Sequence, residues 1–209
     1  MAHPNGKIAG VLFLVASTQF ILGLVVAEAL YSGYSIADNY ISDLGFGPSS
    51  IVFNSSAFLF GLLSIIGACF LPRTFHFRSL AVLLILMAIG AMGVGIFTSA
   101  FSTTIHGVVS LMAFGFGGLS AVASVKVSRL PISSISLVLG TMTLGALTLF
   151  AAGLVTTGSL TSNEPPASEF FLGIGPGGME RMIVYPALIW LTLFSGRLMA
   201  LSEEQENPK

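Results

Sequence analysis

His106, Asp43 and Glu180 are the residues of this sequence best suited to moving a proton, and Arg181 stands beside Glu180 as a candidate anion holder. An imidazole changes charge nearest to neutral pH. A carboxylate can orient it, and a guanidinium forks onto phosphate or carboxylate oxygens. In one site these groups could run acid–base chemistry on a lipid headgroup, with Asp43 or Glu180 orienting His106 and Arg181 binding an anionic head. Asn54 and Glu28 join Arg181 as candidate ligand-binding residues. No nucleophile carries a signature; Ser42, Ser102 or water could fill that role.

Each residue also has a plainer reading. His106 could be a hydrogen-bonded helix-interface histidine, and Asp43, followed by "LGFGP", a turn or capping carboxylate. Glu180 could support a helix start, Arg181 could anchor that helix at the headgroups, and Glu28 could meet water at a helix end. Asn54 could cap or cross-link helices; "NSS" at 54–56 is formally a glycosylation pattern, but it lies too close to a membrane span to carry weight. With one histidine at this face the ligand set for zinc is short, so no metal and no cofactor is expected.

The elements that must position these residues follow from composition. Of 209 residues 54% are hydrophobic and 8% charged, against roughly 25% charged in a soluble domain. A core of this size cannot hide that much apolar surface from water, so the expected solvent is lipid. A formal net charge of −1 gives no case for nucleic acid, which requires a basic face, so no nucleic-acid partner is expected. Cys69, the single cysteine, forms no internal disulfide and reads as packing. The expected fold class is all-α: one polytopic membrane domain over 1–209, with six spans at 8–30, 51–71, 80–100, 105–125, 131–156 and 179–201, each near the ~20 residues a bilayer demands. "AEA" at 27–29 resembles a leader cleavage site, but the apolar run before it is too long for a signal core, so the first span is expected to be retained. Pro131 suits a first helical turn, and Pro186 should disturb the sixth helix.

Loop charges give the orientation. Lys7, Arg73, Arg78, Lys126 and Arg129 fall on one side; Asp38, Asp43, Glu164 and Glu169 fall on the other, with Arg181 their only basic companion. Short basic loops stay in the cytoplasm, which places both termini inside and loops 31–50, 101–104 and 157–178 outside. The second, fourth and sixth helices then all begin at the outer surface, so His106, Asn54, Glu180 and Arg181 share one depth with Glu28 and Asp43. Three helix N-termini there would favour an anion. Glycines and alanines four apart, Ala91 with Gly95 and Ala113 with Gly117, predict close helix packing in lipid. "GIGPGGMER" at 173–181 fails as a nucleotide loop, since no strand precedes it and no Lys-Ser/Thr pair follows. Its glycines instead suit a sharp turn into the sixth helix, with "ASEFFLGIG" before it as a candidate lid.

Three segments, "GYSIADNYISDLGFGPSSIVFNSSAFLFGLLS", "IHGVVSLMAFGFGGLSAV" and "GIGPGGMERMIVYPALIWL", carry a resemblance to the membrane family called domain of unknown function 998, most similar to its archaeal members. The resemblance covers nearly the whole chain. It implies a six-helix integral membrane protein without an assigned activity and transfers no catalytic residue. It also implies that Asp43, Asn54, His106, Glu180 and Arg181 belong to one shared pattern. Three functions are open on this basis: an accessory or lipid-binding module of the cell membrane, with membrane lipids and other membrane subunits as partners; an outer-leaflet lipid-modifying or hydrolytic enzyme; and, least favoured for want of an ionisable residue at mid-depth, a transporter.

Overall fold

The structure is a computed structural model and describes residues 4–71, 78–156 and 168–206. Six helices carry the chain: α1 (Pro4–Leu30), α2 (Ser50–Phe70), α3 (Arg78–Ile96), α4 (Thr103–Ala123), α5 (Ile132–Thr156) and α6 (Gly175–Glu206). Each is long and apolar enough to cross a membrane. At 1.5 Å per residue even the 19 residues of α3 reach about 28 Å, close to the ~30 Å hydrocarbon thickness. There is no strand among the described residues. Arg73, His76 and Glu164 lie outside the described residues.

Each helix packs against its neighbours in sequence, and α6 closes the ring onto α1. The outer faces stay apolar: Leu22, Val25, Ile51, Val108, Leu111 and Val138 are all more than half exposed, which suits lipid and would be costly in water. This is a multi-pass α-helical membrane protein.

Because lipid offers helices no hydrophobic reason to associate, close backbone approach must supply the attraction. The α3–α4 hairpin does this at Gly90 and Gly93. A Cβ on Gly90 would lie against the Ala113 backbone and 2.7 Å from the Val109 carbonyl oxygen; one on Gly93 would lie 2.6 Å from Val109 Cγ1. Gly95 faces the other way, onto α2, where its Cβ would stand 2.5 Å from the Asn54 carbonyl. The small residues therefore do mediate packing, with Gly95 serving α2 and not α4. Aromatic packing fills the end that holds both described termini. Phe13 and Phe194 are fully buried, Trp190 stacks on Phe194 at 5.5 Å, and its indole N–H donates to Ser124 Oγ at 3.0 Å.

Pro186 sits inside α6, which continues through it to Glu206. The α3 helix stops four residues before the predicted end at 100. The reason is local: Phe101 and Ser102 both donate back to Thr98, and Ser102 turns out to cap α4 by accepting the Ile105 N–H.

Candidate functional site

The site begins with the connection from α1 to α2, residues 31–49. Its centre is a short 3-10 helix, Ile41–Gly45. Any helix start leaves N–H groups without internal partners, and here carboxylates take them. Asp43 Oδ2 accepts the Tyr40 N–H at 2.9 Å. Glu180 Oε2, from α6, accepts the N–H of Ile41 and, at 3.4 Å, that of Ser42. Glu180 is only 8% exposed, so this buried carboxylate holds the connection down by charge-assisted hydrogen bonds.

A second tie lies alongside. Arg181 Nη2 donates to Glu28 Oε1 at 2.5 Å and to the Tyr34 hydroxyl at 2.9 Å; Nη1 donates to the carbonyls of Ile36 and Gly177, both at 3.0 Å. Four acceptors match the four hydrogens of the two terminal nitrogens. The Arg181 guanidinium also lies 5.5 Å from the Tyr34 ring centroid, within cation–π range. Tyr34 in turn donates to the Tyr40 carbonyl at 2.9 Å. Glycines let the connection come this close to α6: Gly177 donates its N–H to Ala37 O, and a Cβ there would strike the carbonyl oxygens of Asn39 and Ile36.

Burial pushes the phenols of Tyr34 and Tyr40 up to about 12. For Tyr40 the carboxylates of Glu180 and Asp43 add to burial; for Tyr34 the hydrogen bond from Arg181 works against it. The folded protein thus keeps two protons that the unfolded chain releases near pH 10. The stability associated with them is present below pH 10 and falls as pH rises from 10 toward 12. In a spectrophotometric titration, at least two of the four tyrosines should ionise well above pH 10, and Tyr34→Phe should remove one of them. A wild-type curve with all phenols ionised by pH 10.5 would contradict this burial.

His106 follows the α4 start and is 9% exposed. Its Nδ1 lies 2.8 Å from the Phe97 carbonyl. A carbonyl only accepts, so Nδ1 carries the proton, and in the neutral ring Nε2 is an acceptor. Asn54 donates to Gly45 O at 3.2 Å, fastening α2 to the same connection, while its Oδ1 is buried without a partner among the described residues.

The six sequence-selected residues therefore gather at one end of the bundle, but in different partnerships from those expected. Arg181, expected to hold an anionic head, pairs instead with Glu28 and the loop carbonyls. Asp43 caps its own turn, and His106 is oriented by a main-chain carbonyl and not by a carboxylate. Helix-start donors on two of the three helices are occupied: Ser102 caps α4 by accepting the Ile105 N–H, and on α6 Ala37 O receives the Gly177 N–H. The segment expected to form a lid packs elsewhere: Phe171 is buried against Ala146, Met179 and Ile183 on the α5–α6 flank. The connection 31–49 is what closes the bundle.

Beneath it lies a cavity of ≈ 50 Å³, several times the ~10–15 Å³ that one water needs. It runs beside α6 from Glu180 to Leu188, a rise of about 12 Å at 1.5 Å per residue. Its walls are mostly Phe, Ala, Val and Leu from α1, α2, α3, α4 and α6; Ser42, His106, Ser110 and Glu180 are its polar lining residues. Sequence reasoning missed this cavity. The signal available was the run of small residues Ala113, Gly117 and Ala187 on helices that face each other across the ring.

A ring of six membrane-crossing helices, closed at one end by a latched loop over an apolar cavity, defines the class of protein. The family model described as "Protein of unknown function (DUF998)" matches residues 14–197, and the chain belongs to that family. No curated protein and no solved structure matches the chain.

Proposed function

We propose that this protein is a lipid-binding module of the cell membrane whose central cavity takes one hydrocarbon chain, with its polar end facing out of the cell. The cavity carries the reading. An apolar space is poorly suited to holding water, and in a bilayer the molecules at hand to fill it are lipids. Its lining spans ~12 Å along α6, close to the ~15 Å hydrocarbon depth of one leaflet. The outward orientation is supported by the basic residues Lys7, Arg78, Lys126 and Arg129 at the opposite end. The alternative enzyme reading would need a carboxylate on His106, whereas Phe97 O holds that nitrogen.

Filling the cavity tests the proposal. A Cβ on Gly117 would meet Met87 Cγ at 3.6 Å and Ala187 Cβ at 3.7 Å, ordinary contacts, so Gly117→Ala should be tolerated and Gly117→Leu should extend into the cavity. The expected result is that purified Gly117→Leu loses about 90% of the retention of trace tritiated tetradecanol in nonionic micelles, a tenfold weakening equivalent to about 1.4 kcal/mol. Its unfolding midpoint should stay near that of wild type. Wild-type retention by a folded Gly117→Leu protein would overturn the reading.

A further inference from the structure

We infer that the cavity selects a single-chain amphiphile whose head donates hydrogen bonds, a protonated amine or an alcohol, and rejects carboxylate and phosphate heads. This inference rests on the chain-binding reading and adds the chemistry of the head.

Of the four polar residues that line the cavity, Glu180 and His106 offer acceptors. Glu180 accepts from Ile41 and Ser42 through Oε2 alone, and among the described residues no protein group donates to its Oε1. His106 spends its Nδ1 proton on Phe97 O, which leaves Nε2 as an acceptor. Ser42 and Ser110 can turn their hydroxyls either way. The cation that an anionic head would need is absent from the lining. Arg181, the one described Lys or Arg at this end, does not line the cavity; its terminal nitrogens are filled by Glu28, Tyr34 and two carbonyls. Five described carboxylates share the end with it: Glu28, Asp38, Asp43, Glu169 and Glu180.

Physics ranks the heads. The Glu180 carboxylate accepts only main-chain N–H groups and forms no ion pair among the described residues, because Arg181 beside it is engaged with Glu28, and a buried carboxylate without an ion-pair partner is costly. An ammonium head supplies that countercharge and several donors. A hydroxyl head supplies one donor to Oε1 or to His106 Nε2. A carboxylate or phosphate head brings its charge to a poorly screened place beside Glu180, and its oxygens find no charged donor in the lining.

The test uses the purified full chain in nonionic micelles at pH 7, with trace labelled tetradecylamine, tetradecanol and tetradecanoate at equal micellar mole fraction. Retention on gel filtration is the readout. The expected order is amine and alcohol above tetradecanoate, with amine exceeding tetradecanoate by about tenfold or more. Amine well above alcohol would assign the selectivity to charge, and near-equality of the two would assign it to hydrogen-bond donation; both outcomes support the inference. Glu180→Gln should bring the amine-to-tetradecanoate ratio within about threefold, and Gly117→Leu should remove all three signals. Tetradecanoate retained as well as or better than the amine by wild type would overturn the inference and leave the chain-binding reading standing. A Glu180→Gln protein that keeps the wild-type ratio would overturn it too. Retention of none of the probes by wild type would remove the chain-binding reading itself. The wild-type order needs no variant, so the inference stays testable even if Glu180→Gln fails to fold.

Discussion

Arg181→Gln should lower the unfolding free energy by about 3 kcal/mol, the low end of the ~3–5 kcal/mol that follows removal of one partner from a buried ion pair. The low end applies because the Glu28 side chain is 21% exposed while that of Arg181 is 9% exposed: water reaches one member of the pair and screens it. The loss has more than one source. Glu28 keeps its charge beside a hydrophobic helix end, and the carbonyls of Ile36 and Gly177 lose their donor. Reversible unfolding in mixed micelles measures the cost, and a cycle with Glu28→Gln separates the pair from the rest. If the ion pair matters as argued, the two single losses will exceed the double loss, with a coupling of about 1–3 kcal/mol. A coupling below about 0.5 kcal/mol would mean that Arg181 acts through the loop carbonyls alone. Glu28→Gln by itself should cost less, because the arginine would retain Tyr34 and both carbonyls.

The spans were legible because lipid imposes one rule on every residue: an uninterrupted apolar run of sufficient length has few other fates. The predicted span 51–71 and the helix Ser50–Phe70 agree within a residue at each end. So was the gathering of scarce polar residues at one depth, since alternating spans bring alternate helix ends together. Pairing was not legible. Sequence places Glu28, Asp43 and Glu180 at the same end as Arg181 and gives no azimuth around the ring, so three carboxylates competed for one cation. The outcome depends on α6 lying against α1, where Glu28 meets Arg181 and Glu180 points to the 3-10 turn. The role of residues 31–49 was hidden for a related reason. A polar stretch of that length reads as an outer loop, and only its folded form shows Tyr34, Ile36, Ala37 and Ile41 each meeting α6. Helix-start donors were predicted to await an anion; the chain supplies acceptors of its own, Ser102 at α4, Ala37 at α6 and Glu180 at the 3-10 turn, because an unpaired donor near hydrocarbon is costly to leave.

Gly175→Ala should be the most damaging of the alanine substitutions at glycines of positive φ, and the comparison among them isolates why. Gly33, Gly47, Gly173 and Gly175 have φ of 76°, 59°, 75° and 75°, and a Cβ at Gly47 would meet nothing within 4 Å. For an L-residue that conformation costs roughly 1–2 kcal/mol wherever it occurs. Around Gly33 and Gly173 a Cβ would meet nothing within 4 Å, so the backbone term should be the whole effect at both. At Gly175 the Cβ would also run into the Ala37 carbonyl oxygen and lie 2.9 Å from the Ala37 carbonyl carbon. Those atoms are main chain, in the residue that accepts the Gly177 N–H, so they cannot swing aside as a side chain would. Overpacking of this kind adds about 1–3 kcal/mol, giving about 2–5 kcal/mol in all at Gly175. The loss should also be directional. Moving Ala37 away from α6 strips the Gly177 bond first and then strains Arg181 on Ile36 and Glu180 on Ile41, so the latch should open before the bundle does. Hydrogen exchange checks the sequence of events: in Gly175→Ala the amides of Ile41 and Ser42 should lose protection while those of the α3–α4 hairpin keep it. Equal costs at Gly173 and Gly175, with Ile41 still protected, would mean that the contact between α6 and residues 36–42 does not hold the loop over the cavity.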